Sequence, residues 1–194
     1  MVAIASKQSV KKVKKTPVQQ KISWSAFQKE YLTKEDELKY EWVDGYVEKT
    51  LRSTDKTQFR IQRNLVRFFY SLFFNKNVKG DLIAEGDTRF LTNHRRPDLA
   101  YYTDEQIEKA ANKRGVTPEF VLEVISTNDQ VNALAKKMRD YRAAEVKVVW
   151  LIFPELKEIH VYRGLDAHIH EGDSICSADE VITGFQMKVS DVFK

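Results

Sequence analysis

The 194-residue chain contains one cysteine, Cys176, four histidines and no long apolar run. A single cysteine cannot form an internal disulfide, which fits a reducing cytoplasm and excludes a metal-thiolate site. His168 and His170 have no third ligand near them in the sequence, so the scattered histidines argue against zinc. The best apolar run, 148–153, has the length of a strand, and the first five residues are too short for the core of a signal peptide. We therefore expect a cytoplasmic protein with no membrane segment.

The net charge of +4 comes from the N-terminal 21 residues, which contain six lysines and no acidic residue. The six are Lys7, Lys11, Lys12, Lys14, Lys15 and Lys21. Without them the chain has 26 basic and 28 acidic residues, so the remainder is slightly acidic. We expect a basic, disordered tail over 1–21 and a single domain over 22–194. The tail, with Lys11, Lys12, Lys14 and Lys15, could bind any polyanion without specificity, or it could only increase solubility.

Strand-like and helical patterns alternate along the rest of the chain. Asp44 and Gly45 lie between two strand-like segments and predict a two-residue hairpin turn, while apolar residues from Phe59 to Leu72 recur at the period of a helix. A strand near 120–125, a helix over 130–145 and a strand over 146–153 predict a right-handed βαβ crossover. The pattern therefore predicts an α/β fold in which helices flank a mixed central sheet with antiparallel hairpins at its edges.

Glu123 stands in the middle of the apolar strand at 120–125, where an unpaired carboxylate would be costly. Asp98 follows Pro97 at the head of another predicted strand, and Lys137 lies on the following helix. Each residue alone has an ordinary structural explanation. Glu123 could belong to a buried ion pair, Asp98 to a turn, and Lys137 to a solvated helix face. Together, two carboxylates on neighbouring strands and a lysine could hold a divalent cation and direct a water molecule at an electrophile.

Helix geometry separates Lys137 from its neighbour Lys136. At about 100° per residue, Val131, Leu134, Met138, Tyr141 and Glu145 are expected to line one face of this helix. Lys137 lies at the border of that face and Lys136 on the opposite side. We therefore expect Lys137 to point its ammonium group toward the sheet and Lys136 to be solvated.

In order and spacing, these residues resemble the PD-(D/E)xK nuclease superfamily, which has a restriction-endonuclease-like fold, and within it the Uma-two family. The resemblance covers roughly 25–194. It rests on the segments at 40–45, 97–98, 123–126, 148–154, 182–185 and 191–193, together with Lys137 and Tyr141.

The resemblance implies a Mg²⁺- or Mn²⁺-dependent endonuclease that hydrolyses DNA, with RNA left open as a substrate. It implies catalytic roles for Asp98, Glu123 and Lys137. The metal ligands would be Asp98, Glu123 and the main-chain carbonyl of Val124, with Glu41 close to the cation directly or through water. An oxygen-only ligand set suits these hard cations. Gln58 and Tyr141 would bind nucleic acid.

Four positions depart from the family pattern. Ile125 stands where most of the superfamily has its lysine, so activity depends on Lys137 reaching the site from the helix. Gln58 stands where the family usually has a histidine, and Glu145 stands where it usually has a glycine. Ala133 stands where many members have an acidic residue.

Two other hypotheses stay open at this point. The chain could be a catalytically weakened nuclease-fold protein that acts as a nucleic-acid- or partner-binding module. It could also be a homodimer that pairs through an exposed strand edge, which is compatible with cleavage of both strands of a duplex.

Overall fold

The computed structural model describes residues 20–51, 56–76, 78–112, 115–126 and 130–194. The predicted tail lies outside the described residues except for its last two positions, and Lys11, Lys12, Lys14 and Lys15 lie outside them as well. Lys21, the last residue of the predicted tail, lies with its Nζ atom 5.2 Å from the centroid of the Tyr46 ring.

The first element is a short helix, α1 (Trp24–Phe27), whose N-terminus is capped by the Ser23 hydroxyl accepting from the Ala26 N–H. It continues as a π-helical turn over Gln28–Leu32. A four-stranded antiparallel sheet in the order β2-β1-β5-β4 follows. Its strands are β1 (Leu38–Val43), β2 (Tyr46–Leu51), β4 (Thr88–Phe90) and β5 (Asn93–Arg95).

The two-residue hairpin turn predicted from Asp44 and Gly45 is confirmed. Val43 pairs with Tyr46, and both turn residues have positive φ, 53° at Asp44 and 88° at Gly45. Such backbone angles match the twist of the flanking strands and favour Asp-Gly at these positions.

A six-stranded sheet in the order β10-β9-β8-β7-β6-β3 forms the centre of the molecule. Its strands are β3 (Asp81–Ile83), β6 (Leu99–Tyr102), β7 (Phe120–Val124), β8 (Val148–Phe153), β9 (Glu158–Arg163) and β10 (Asp166–Glu171). β7 and β8 are parallel and are joined through a helix, whereas the other neighbouring pairs are antiparallel. The predicted βαβ crossover and mixed sheet are therefore confirmed.

Helices cover both faces of the central sheet. They are α2 (Lys56–Lys76), α3 (Asp104–Ala111), α4 (Val131–Ala143) and α5 (Val189–Val192). α2 packs against one face through residues such as Leu65 and Phe69. The same face is covered by α5 and by the small hairpin of β11 (Ile175–Ser177) and β12 (Gln186–Lys188). α4 packs on the opposite face through Met138 and Tyr141.

Alternation along β7 decides which side chains reach which face. Phe120 and Leu122 belong to the core that includes α2, and Val121 belongs to the core that includes α4. Because successive side chains on a strand point to opposite faces, Glu123 shares the α4 face with Val121. The one acidic residue of this buried strand is thereby directed at the helix that follows it.

Three features differ from the sequence-based expectation. The early hairpin belongs to a separate sheet instead of forming an edge of the central one. Phe59 is exposed because the buried stripe of α2 begins only at Ile61. Val131 at the start of α4 is 82% exposed, and Glu145 lies beyond the end of that helix with a positive φ. Residues at helix ends are often exposed even where the helical period places them on the apolar face, because the core does not extend that far.

None of the helices in the described part of the chain combines the length and apolar content needed to cross a membrane.

Gly80 provides a test of the packing around β3. Its φ is +81°, and a Cβ atom placed there would lie 2.2 Å from the carbonyl oxygen of Tyr102 and 2.9 Å from a ring carbon of Tyr101. We expect Gly80→Ala to lower the free energy of unfolding by about 3 kcal/mol or more, because rigid backbone must move. Gly164→Ala is the matched control: its φ is +62°, but nothing lies within 4 Å, so only backbone strain of about 1 kcal/mol is expected. Denaturant titration of both variants measures the difference, and equal losses would contradict the steric explanation.

Candidate active site

Asp98 and Glu123 lie on neighbouring strands, as expected from the sequence. Leu99 pairs with Leu122 across β6 and β7, so Asp98 lies one position ahead of β6, opposite Glu123. The Oδ2 atom of Asp98 accepts a hydrogen bond of 2.9 Å from the Val124 N–H. Both carboxylates are almost fully buried. The antiparallel pairing thus brings two acidic side chains together in the protein interior.

Lys137 reaches Glu123 from α4, as the helix geometry predicts. Its Nζ atom lies 2.9 Å from Glu123 Oε2, and its side chain is 20% exposed. Lys136 is 52% exposed and lies 3.7 Å from Glu48, away from Glu123. One position along the helix therefore separates a lysine of the buried cluster from a lysine at the surface.

Tyr141 contacts the second oxygen of Glu123. It lies one helical turn after Lys137, is fully buried, and its hydroxyl donates to Glu123 Oε1. The Tyr141 side chain is thus buried against the carboxylate of Glu123. Its contact with nucleic acid stays a prediction.

Lys39 is a member of the cluster that sequence reasoning missed. It lies two residues before Glu41 on β1, so both side chains point to the same face of that strand. The Nζ atom of Lys39 lies 3.0 Å from Asp98 Oδ1, and the residue is only 8% exposed. The alternation of Lys39, Tyr40 and Glu41 was a visible signal, because polar residues at every second position of a strand share one face.

Arg95 is the second residue that sequence reasoning missed. It is fully buried on β5, where its Nη1 donates to Glu41 Oε2 at 2.9 Å and to Glu48 Oε2 at 3.3 Å. Its Nε donates to Asp140 Oδ2 at 2.8 Å, and Nη2 makes an ion-pair contact of 2.7 Å with the same oxygen. Arg95 therefore joins the hairpin of β1 and β2 to helix α4, and Asp140 is a third residue that the sequence analysis did not select.

Glu41 lies beside this cluster with both oxygens engaged. Oε2 accepts from Arg95, and Oε1 accepts from the Arg96 N–H at 2.8 Å. Burial disfavours its charge, but Lys137, Arg95 and Lys39 outweigh that effect and lower the pKa of Glu41 to about 2. Glu41 is thus an ionised, fully hydrogen-bonded carboxylate.

Burial and the neighbouring charges together raise the pKa of Glu123 and of both its partners, Lys137 and Tyr141, for different reasons. Burial raises the pKa of Glu123, with a further contribution from Asp98, although Lys137 opposes the shift. Burial by itself would lower the pKa of Lys137, but Glu123, Glu41 and Asp98 together raise it. Burial and the adjacent Glu123 also raise the pKa of Tyr141 well above its usual value. The cluster therefore keeps Lys137 as an ammonium and Tyr141 as a neutral phenol.

Two further residues that the sequence analysis singled out are Gln58 and Ile125. Gln58 lies in the first turn of α2 and is partly exposed, and the residues directly before that helix lie outside the described ranges. Ile125, which stands in place of the usual lysine, packs at the edge of the core that includes α4.

The donor atoms at Asp98 and Glu123 suit a hard divalent cation. In the described ranges, no group of three or more His, Cys, Asp or Glu side chains could by itself hold a metal ion. Mg²⁺ in proteins is commonly held by one or two carboxylates and completed by waters and substrate phosphates, so two carboxylates and a main-chain carbonyl are sufficient. Each carboxylate oxygen accepts one hydrogen bond here and has a second acceptor position.

Comparisons with known proteins bear on the family and the fold of the chain. The model of the Uma2 family, described as "Putative restriction endonuclease", matches residues 24–190. No curated protein matches the chain. A crystal structure described as a "putative nuclease belonging to DUF820", from Anabaena variabilis ATCC 29413, is similar with a TM-score of 0.74 at 18% identity. The match covers 89% of this chain and 97% of that one. At this identity the likeness establishes the fold alone.

The lowered pKa of Glu41 leads to a prediction about acid stability. A carboxylate whose pKa is lower in the folded state stabilises the protein above its unfolded pKa of roughly 4.5, and this contribution is lost as the pH falls toward about 2. Glu41 should therefore contribute about 3 kcal/mol at neutral pH. Glu41→Gln should be less stable at pH 7, and its unfolding free energy should fall less steeply between pH 4.5 and 2. Denaturant titrations across this range provide the measurement, and parallel pH profiles of the two proteins would disprove the assignment.

Proposed function

The chain belongs to the Uma2 family, and on that premise we propose that it is a Mg²⁺- or Mn²⁺-dependent endonuclease that hydrolyses DNA phosphodiester bonds. The observation that carries the proposal is the buried cluster in which Lys137 lies against Glu123, directly opposite Asp98. A structural ion pair would need one carboxylate and one cation. Here Asp98, Glu123 and Glu41 lie together with only two ammonium groups, those of Lys39 and Lys137. This excess of carboxylates over ammonium groups suits a site that attracts a cation.

Asp98 and Glu123 would hold the cation together with the main-chain carbonyl of Val124. Bound there, a divalent cation would supply Lewis acidity toward a phosphoryl oxygen and would favour ionisation of water. Glu41 would lie close to the cation, directly or through water, and Arg95 and the Arg96 N–H would hold its two oxygens in place. The Val124 N–H would keep the Asp98 carboxylate oriented through Oδ2.

Lys137 would stabilise negative charge that develops on the phosphoryl oxygens and would orient the attacking water. Its raised pKa keeps it charged at neutral pH, so it is suited to donating hydrogen bonds and not to removing a proton. Tyr141 would be a positioning residue, because its buried hydroxyl holds Glu123 on the side opposite Lys137. Because Lys137 reaches Glu123 from α4, the chain can carry Ile125 at the position where most of the superfamily has its lysine.

A homodimer would place two such sites on one duplex. In the described part of the chain, β10 is one of the two edge strands of the central sheet, and most of its residues are exposed, including the apolar Ile169. An unpaired edge of this kind can pair with a second copy about a twofold axis. We propose this edge as the dimer contact.

The first test is a cleavage assay with Mg²⁺ and with Mn²⁺ on plasmid DNA, oligonucleotide DNA and RNA. The wild-type protein should cleave DNA only when a divalent cation is added, and Glu123→Gln should lose at least about a hundredfold in rate because one proposed ligand is neutralised. Lys137→Ala should slow cleavage to a similar extent while metal binding largely persists.

Lys136→Ala is the matched control for this assay, since it removes the same charge one residue away at the surface. It should change the rate less than about twofold. Equal effects of the two lysine substitutions would show that Lys137 has no special role. Nucleic-acid binding without any cleavage would favour the weakened binding module instead.

The second test concerns the N-terminal tail, which we propose as a nonspecific contact to the DNA backbone. Deletion of residues 1–21 should weaken DNA binding equally for all sequences and flatten its dependence on salt, because lysines release counterions from phosphates but do not read bases. The melting temperature should barely change. Fluorescence anisotropy at several salt concentrations measures the slope, and an unchanged slope would exclude the tail from binding.

A further inference from the structure

Lys39 is the member of the buried cluster to which the proposed reaction assigns no role. It lies on β1 in the smaller sheet, while Asp98 precedes β6 of the central sheet. The contact between them is an ion pair of 3.0 Å between Nζ and Oδ1, and both residues are more than nine-tenths buried. An ion pair placed so deeply cannot be explained as a solvated surface contact.

The two oxygens of Asp98 have partners of different kinds. Oδ2 accepts from the Val124 N–H, which belongs to a strand in the middle of the sheet and cannot move independently. Oδ1 accepts from the ammonium of Lys39, which lies at the end of a flexible four-carbon chain. The Val124 N–H therefore orients the Asp98 carboxylate, whereas the Lys39 ammonium can move away from it.

Lys39 also lies in the field of Lys137. The positive charge of Lys137 opposes the charge of Lys39, whereas Asp98, Glu123 and Glu41 favour it. Two ammonium groups among three carboxylates thus supply the charge of one divalent cation in the same small volume. A dication beside Asp98 would repel the Lys39 ammonium twice as strongly as a monovalent one at the same distance.

We propose that Lys39 is a resident counter-cation that neutralises Asp98 in the metal-free protein, and that a divalent cation bound at Asp98 displaces the Lys39 ammonium from Oδ1 by charge repulsion. The inference rests on the metal site of the proposed function and adds to it a residue that controls how tightly the metal binds. Lys39 thereby stabilises the buried carboxylate in the absence of metal, at the cost of metal affinity.

The test compares Mn²⁺ binding to wild-type protein, Lys39→Met and Lys136→Met, by titration calorimetry and by the electron paramagnetic resonance of free Mn²⁺. Lys39→Met keeps the length and apolar stem of the side chain but removes the competing charge, so the dissociation constant should fall about tenfold. Lys136→Met removes an equal charge from an exposed position and should change the constant by less than about twofold.

A second readout needs no nuclease activity. In the absence of metal, Lys39→Met should melt at a lower temperature than wild type, and saturating Mn²⁺ should raise its melting temperature more than that of wild type. Adding Asp98→Asn to Lys39→Met should recover part of the metal-free stability and abolish the effect of Mn²⁺, because the unpaired buried charge is removed. If Lys39→Met does not fold without metal, Lys39→Gln retains a hydrogen-bond donor to Asp98 and takes its place.

The possible failures are distinguishable. Unchanged or weaker Mn²⁺ binding by both Lys39 variants, with normal binding by wild type, would overturn the role of Lys39 and leave the proposed nuclease site intact. Absence of Mn²⁺ binding by wild type and all variants would overturn the metal site itself, and the Lys39–Asp98 contact would then be a structural ion pair.

Discussion

The burial of ionisable side chains in one cluster is the constraint on which the rest of this structure depends. Glu41, Asp98, Glu123 and Asp140 are almost completely removed from solvent, together with Lys39 and Arg95. Burying any one of these charges without a partner would cost several kcal/mol. The fold must therefore bring strands and a helix from distant parts of the chain to the same point.

Arg95 shows how this requirement links the two sheets. It donates to Glu41 on β1 and to Asp140 on α4, so one guanidinium links the small sheet to the helix that packs on the central one. The planar guanidinium can satisfy several carboxylates in a fixed geometry, which a lysine could not do at this position. Architecture and site are consequently not separable here, because the contacts that join the sheets also orient Glu41.

The position of Lys137 on a helix has a structural consequence. A lysine at position 125 would project from the strand that carries Glu123, whereas Ile125 instead packs at the edge of the core. Lys137 approaches from α4, where Tyr141 one turn later contacts the other oxygen of the same carboxylate. Rigid packing of α4 on the sheet therefore controls the geometry around Glu123, since both contacts depend on the position of that helix.

The sequence by itself determined the order of strands and helices around the βαβ crossover, the burial of Glu123 and the inward direction of Lys137. These features follow from short-range periodicity, because alternation and the helical repeat specify a face without knowledge of distant partners. The tertiary structure alone decided the contacts of Lys39, Arg95 and Asp140. Lys39 and Asp98 are 59 residues apart, and Arg95 is 54 residues from Glu41 and 45 from Asp140. No local pattern encodes which buried charges will meet, because that choice depends on how the small sheet packs against the large one.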